Sequence, residues 1–127
     1  MRLRFMTVLL VTALGGCSLL SPSRQFSVYF ESYSAVPNQQ AHDTIAAAAA
    51  YAQAHPMLPV VIDGYSAPPD PGKDVDGLSA QRADAVKQGL VSDGVAPIRI
   101  TTTANGIVDL KNLPSVAVRR VDIQVGQ

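Results

Sequence analysis

Apolar and polar positions alternate with two different periods along this chain, and the switches between them mark its elements. Phe26-Ser27-Val28-Tyr29-Phe30 alternates and is aromatic or β-branched, which predicts a strand. Ser32 to Asn38 reads as a loop, with Pro37 and Asn38 as helix-start signals. In the helix predicted over Gln39–Ala54, Ala41, Ile45, Ala48 and Ala52 share one face. Six alanines between Ala46 and Ala52 favour the helix and leave a small stripe that can lie close on a sheet. His55-Pro56 ends it. Leu58 to Gly64 is continuously apolar after Pro59, as a central strand would be. Ser66 to Gly77 is the longest irregular stretch, rich in Pro and Gly, and the favoured place for function. A second helix is predicted over Leu78–Ser92, with Ala83, Val86 and Leu90 inward and Gly94 just past its end. Ile98 to Thr103 reads as a third strand, Asn105-Gly106 as a turn, and Val116 to Val125 as holding a fourth strand in which Val121, Ile123 and Val125 alternate. The order is β-α-β-α-β-β, an α+β fold with two helices packed on one face of a mixed sheet.

The segment before this domain has a different character. Arg2 and Arg4 precede an apolar or weakly polar run of ten residues, Phe5 to Leu14. A bilayer span needs about 20 residues, so the run has the length of an export-signal core instead. Leu14-Gly15-Gly16-Cys17 then resembles the lipobox of bacterial lipoproteins. That resemblance implies cleavage before Cys17 and attachment of a diacylglycerol to its thiol; Gly15 and Gly16 leave the backbone open to the peptidase. Cys17 is the chain's one cysteine. Several acyl chains are needed for stable anchoring, since one binds only marginally. Ser18 after the cysteine implies, by the sorting rule of such lipoproteins, the outer membrane, with the domain on its periplasmic face. Residues 1–17 are thus read as signal and lipobox, Ser18 to Gln25 as a linker, and residues 26–127 as the domain.

Composition narrows the function. At 127 residues and 47% hydrophobic, the chain suits one globular domain. Without Arg2 and Arg4, eight basic residues face ten acidic ones, so no electrostatic footprint for nucleic acid exists. Aromatics are few and Trp is absent, which argues against stacking platforms for sugars or bases. His42 and His55 have no cysteine or acidic cluster beside them, so no metal site is expected. Ser66 and Ser79 lack His/Asp partners, and no Gly-rich phosphate loop occurs, so neither an enzyme nor a cofactor is expected.

Several stretches carry a family resemblance: Val28-Tyr29-Phe30, Ile62-Asp63-Gly64, Leu78-Ser79-Ala80-Gln81-Arg82-Ala83-Asp84-Ala85-Val86, Gly94-Val95 and Arg119-Arg120-Val121-Asp122-Ile123. In this order the domain resembles the OmpA-like (OmpA/Pal/MotB C-terminal) domain, and its most specific match is LS-x-x-RA-x-x-V. The resemblance implies a non-catalytic domain that binds peptidoglycan by the diaminopimelate of its peptide stem, tethering membrane to wall. In the family an arginine of that motif takes a carboxylate, and it maps onto Arg82. An aspartate fifteen residues earlier takes the amine, and its position holds Ala67. The family's Gly-His-Thr-Asp is Gly64-Tyr65-Ser66-Ala67 here, and an asparagine before the motif is replaced by Val75. Candidate binding residues are therefore Arg82, Asp70 as the nearest replacement acid, and Glu31 at the end of the first strand; Asp74 and Asp76 are further loop acids. Arg119 and Arg120 are expected to brace the sheet end. Arg82 itself has a second reading, as a structural residue bonding loop carbonyls. The alternative function is a domain retired from the wall and used to bind another envelope protein.

Overall fold

The computed structural model describes residues 22–127, so the signal, the lipobox at Cys17 and the first part of the linker lie outside the described residues. Four strands and two helices follow one another: β1 (Arg24–Tyr29), α1 (Gln39–Ala54), β2 (Val60–Ser66), α2 (Leu78–Ser92), β3 (Ile100–Ile107) and β4 (Arg120–Val125). This is the α+β order read from the sequence. The sheet runs β1-β4-β2-β3, with β2 parallel to β3 and β4 antiparallel to both β1 and β2. β2 is therefore interior, as its apolar run predicts.

Both helices have the bounds read from the sequence because local chemistry sets them. Asn38 accepts a hydrogen bond from the Ala41 N–H through its side-chain oxygen (2.9 Å), satisfying one of the unpaired donors at the start of α1. Ala41, Ile45, Ala48, Ala49 and Ala52 are the buried face of α1. The face of α2 is wider than expected: Ser79 and Arg82 are buried beside Ala83, Val86 and Leu90. Helix and sheet meet over Val28, Val60, Ile62, Val121, Ile123 and Val125, all fully buried. Those residues alternate along their strands, so one sheet face carries the core.

The strand boundaries differ from the sequence reading: β2, read over Leu58–Gly64, spans Val60–Ser66, and β3, read over Ile98–Thr103, spans Ile100–Ile107 after a 3₁₀ turn at Pro97–Arg99. Arg24 and Gln25, assigned to the linker, are the first residues of β1, where they pair with Val125 and Gln124. Asn105-Gly106 is not a turn but lies inside β3. The left-handed φ of Gly106 (68°) is real, but it makes a bulge: Gly64 pairs with Ala104, whereas Ser66 pairs with Ile107. The Gly106 N–H turns to the Ser79 hydroxyl of α2 (3.0 Å). Finally, β4 starts only at Arg120, because Ser115–Val118 forms a short 3₁₀ turn before it.

Chain direction then places the site. β1, β2 and β3 all run toward the end of the sheet where Tyr29 pairs with Arg120 and Ser66 with Ile107. The loops leaving β1 and β2, the start of α2, and the turn entering β4 gather at that end.

Candidate functional site

Arg82 is the largest fully buried side chain among the described residues. Among the described residues no carboxylate is bonded to it. Instead Nε donates to the Ser34 carbonyl (2.8 Å), one terminal nitrogen to the Tyr65 carbonyl (3.1 Å), and the other to the Glu31 carbonyl (3.1 Å). Its guanidinium also lies 5.4 Å from the Phe30 ring centroid. One side chain thus joins the loop after β1 to the end of β2 and to α2. Burial, with a smaller push from Arg119, lowers the Arg82 pKa to about 10. It stays charged at neutral pH. Each of its three nitrogens thus has a main-chain carbonyl partner, the second of the two readings given to Arg82 from the sequence.

That arginine forms part of the wall of a cleft of about 80 Å³, with Tyr33, Ala67, Asp70, Val75 and Arg119 among the other lining residues. Positions far apart in sequence thus converge: the family's arginine, the two altered positions, and the loop acid proposed to replace the lost one. Asp70 is held there by Tyr33. The Tyr33 hydroxyl donates to one Asp70 carboxylate oxygen (2.6 Å) and accepts from the Asp70 N–H (2.9 Å). Tyr33 adopts a left-handed backbone (φ 57°), a conformation uncommon for an aromatic residue, and the reciprocal bonds hold it in place. The cleft therefore has an anchored carboxylate, Asp70, and a guanidinium, Arg119, in one lining, with Arg82 buried in its wall, groups that suit a ligand carrying both an amine and a carboxylate.

Glu31 is placed differently. Its main chain anchors Arg82, but its side chain lines a neighbouring cleft of about 260 Å³ together with Tyr29, Asn38, Gln40 and Arg119. The carboxylates of Glu31 and Asp70 are not brought into one pocket. Asp74 turns back on its own loop, accepting from the Asp76 N–H (2.9 Å). The two arginines at the start of β4 divide their roles. Arg120 does brace the sheet, with its Nε 3.0 Å from Asp122 and its guanidinium 5.3 Å from the Tyr65 ring centroid. Arg119 instead lines both clefts, bonding the Phe30 carbonyl (3.3 Å) and the Ser115 hydroxyl (2.9 Å). Arg119 and Tyr33 are site residues that the sequence reading missed. No periodicity or motif in the sequence marks either.

The Tyr33–Asp70 contact gives a measurable signature. The carboxylate accepting from the phenol raises the Tyr33 pKa above its ordinary value of 10.0. Ionised tyrosine would lose that bond and face the carboxylate charge. In Asp70→Asn the Tyr33 ring, followed by NMR through an alkaline titration, is expected to ionise at lower pH than in the wild type. An unchanged midpoint would mean the pair does not form in solution.

Comparison with known proteins agrees with this fold. The sequence model described as "OmpA family" matches residues 29–123. No curated protein matches the chain. Among solved structures, the OmpA-like domain of FopA1 from Francisella tularensis is 23% identical, with a TM-score of 0.71 over 81% of this chain and 71% of that one. The peptidoglycan-associated lipoprotein of Burkholderia pseudomallei is 25% identical, with a TM-score of 0.67 over 79% of this chain and 89% of that one. The periplasmic domain of Helicobacter pylori MotB is 20% identical, with a TM-score of 0.65 over 79% of this chain and 70% of that one. The strand order, the motif around Arg82 and a family match covering most of the chain give one result: this protein belongs to the OmpA family.

Proposed function

We propose that the domain is a non-catalytic binder of peptidoglycan, held to the outer membrane through a lipidated Cys17, and that it tethers membrane to wall. The observation that carries this reading is the cleft whose lining brings Asp70 together with Ala67, Arg82 and Arg119. The family's amine-binding aspartate is gone from position 67, and Asp70 supplies a carboxylate on the same loop. In this reading Asp70 takes the ammonium of diaminopimelate, and Arg119, with the charge of the buried Arg82 behind it, takes its carboxylate. Membership in the OmpA family and likeness to a protein named peptidoglycan-associated lipoprotein support it. The lipobox-like Leu14-Gly15-Gly16-Cys17 supports the anchor.

Sedimentation with purified cell walls tests the wall reading. A soluble form starting at Ser18 is expected to pellet with diaminopimelate-type walls and to be released by free diaminopimelate. Walls with lysine at that stem position lack the second carboxylate and are expected to retain much less. Asp70→Asn removes the charge facing the ammonium and is expected to weaken retention about tenfold, the usual scale for one charge-assisted bond of about 1.5 kcal/mol. Equal retention on both walls would reject the stem as ligand.

One observation favours a second reading, a domain that binds another envelope protein. Ala67 and Val75 make part of the cleft wall apolar where the family has polar groups. Crosslinking in cells separates the two readings: recovery of one stoichiometric protein partner favours this one, and recovery of muropeptides favours the wall.

A further inference from the structure

The end of the sheet opposite the cleft has an unexplained feature. Met57 and Ile98, 92% and 95% exposed, are the barest large apolar side chains among the described residues. Single exposed apolar residues are ordinary. These two, however, occupy adjoining turns at one tip of the molecule. Met57 is in the turn between α1 and β2, and Ile98 is in the 3₁₀ turn that enters β3. Arg99 binds those turns together, donating to the carbonyls of Ala52 (3.0 Å), His55 (2.9 Å) and Leu58 (2.8 Å). The two side chains thus project from a braced support and cover nothing in the fold.

The chain enters the domain at this same end. Arg24 pairs with Val125, Val125 with Val60, and Val60 with Ile100, forming one row across the sheet. Pro22 and Ser23 lie against Gly126 beside that row. Only residues 18–23 separate Cys17 from β1. At roughly 3.5 Å per residue they reach about 21 Å at most. Arg24 at the start of β1 and Arg99 in the turn before β3 place two basic residues at this end beside Asp93 at the end of α2, a balance compatible with phospholipid headgroups.

We propose that this tip rests on the bilayer that holds Cys17, with Met57 and Ile98 entering the boundary between headgroups and acyl chains. The proposal rests on the lipid-anchor reading above. Two side chains are too few to bring a free domain to a membrane. A short tether changes that, because it keeps the tip at an effective concentration in the millimolar range. Docking would also set the orientation of the binding cleft. β2 spans the sheet from tip to cleft, about 20 Å at roughly 3.3 Å per residue. The cleft would then face away from the membrane, toward the wall.

The chain has no tryptophan, so introduced ones report their surroundings alone. The full lipoprotein carrying Ile98→Trp, or Val116→Trp at the cleft end, is made in cells and reconstituted into phosphatidylethanolamine/phosphatidylglycerol vesicles. Vesicles with and without brominated acyl chains are compared, and flotation reports the anchor separately. The expected result is flotation of both variants, with emission from position 98 roughly halved by bromolipid, the depth of an interfacial side chain. Emission from position 116 is expected to stay unchanged. Met57→Trp should repeat the position-98 result. Flotation with equal emission at positions 98 and 116 would overturn the docking while leaving the anchor standing. Failure to float would overturn the anchor reading, and the docking with it.

Discussion

Arg82→Ala is expected to cost the domain about 3 kcal/mol of stability, because the guanidinium is a structural tie before it is anything else. It is fully buried and bonds main-chain carbonyls of Glu31, Ser34 and Tyr65. Alanine leaves those carbonyls without a donor and opens a void under Phe30. An orphaned buried polar group costs about 1–3 kcal/mol, and charge-assisted bonds lie at the upper end. Some of that loss is recovered, since burying the charge was itself unfavourable, as its lowered pKa of about 10 records. A domain of this size loses roughly 4–8 °C in Tm per kcal/mol, so the fall is expected to be roughly 12–24 °C. Arg82→Lys should recover only part of it, because one ammonium cannot span three carbonyls spread over two segments. Urea unfolding of the three proteins checks the order. A variant as stable as the wild type would mean that the carbonyl bonds contribute nothing.

Gly64→Ala is expected to be as damaging or worse, by at least about 3 kcal/mol, through a different cause. A Cβ at position 64 would lie 2.2 Å from the Ser79 carbonyl oxygen and 3.0 Å from the Ala83 Cβ. Neither obstacle is the flexible end of a side chain. β2 is held between β4 and β3, so the strand cannot retreat and α2 must lift. Forced overpacking costs about 1–3 kcal/mol, and more where backbone must move. The shift would also carry Arg82 out of register with its carbonyls, since Arg82 sits one turn along α2 from Leu78 and Ser79. Gly72→Ala is the control: its φ is positive (78°), unlike that of Gly64, but nothing lies within 4 Å. Its expected cost is about 1 kcal/mol, the backbone penalty alone. Equal unfolding midpoints for the two variants would contradict close helix–sheet packing at Gly64.

Some of this was legible in the sequence because the signals were local. Asn38 before α1, His55-Pro56 after it, and Gly94 after α2 set both helices by short-range hydrogen bonding and proline sterics. Strand ends depend on partners, which local pattern does not show. Asn105-Gly106 has the composition of a hairpin turn. Its glycine does take the left-handed conformation, but β3 pairs in parallel with β2 and uses that freedom for a bulge. Arg24 and Gln25 look like linker residues until β4 supplies them with partners. At the site, Arg82, Asp70, Ala67 and Val75 could be named from the family motif, and the fold does gather them. Tyr33 could not, because its role is a contact with Asp70 across 37 positions. Nor could the burial of Arg82 be read from its helix, where a charged residue on the inner face runs against the apolar pattern. Only the carbonyls of two distant segments make that position tolerable.

Because Arg82 supports the fold, its removal cannot by itself report on ligand binding, and Asp70 is the cleaner probe. Its partners are exposed, and Asp70→Asn keeps its shape while removing its charge. The direct test of wall recognition is therefore an NMR titration of the soluble domain and of Asp70→Asn with a soluble muropeptide bearing diaminopimelate. Saturable shifts confined to Tyr33, Ala67, Asp70, Val75 and the start of α2, weakened about tenfold in Asp70→Asn, are the predicted result. Shifts elsewhere, or equal affinity in the two proteins, would contradict it.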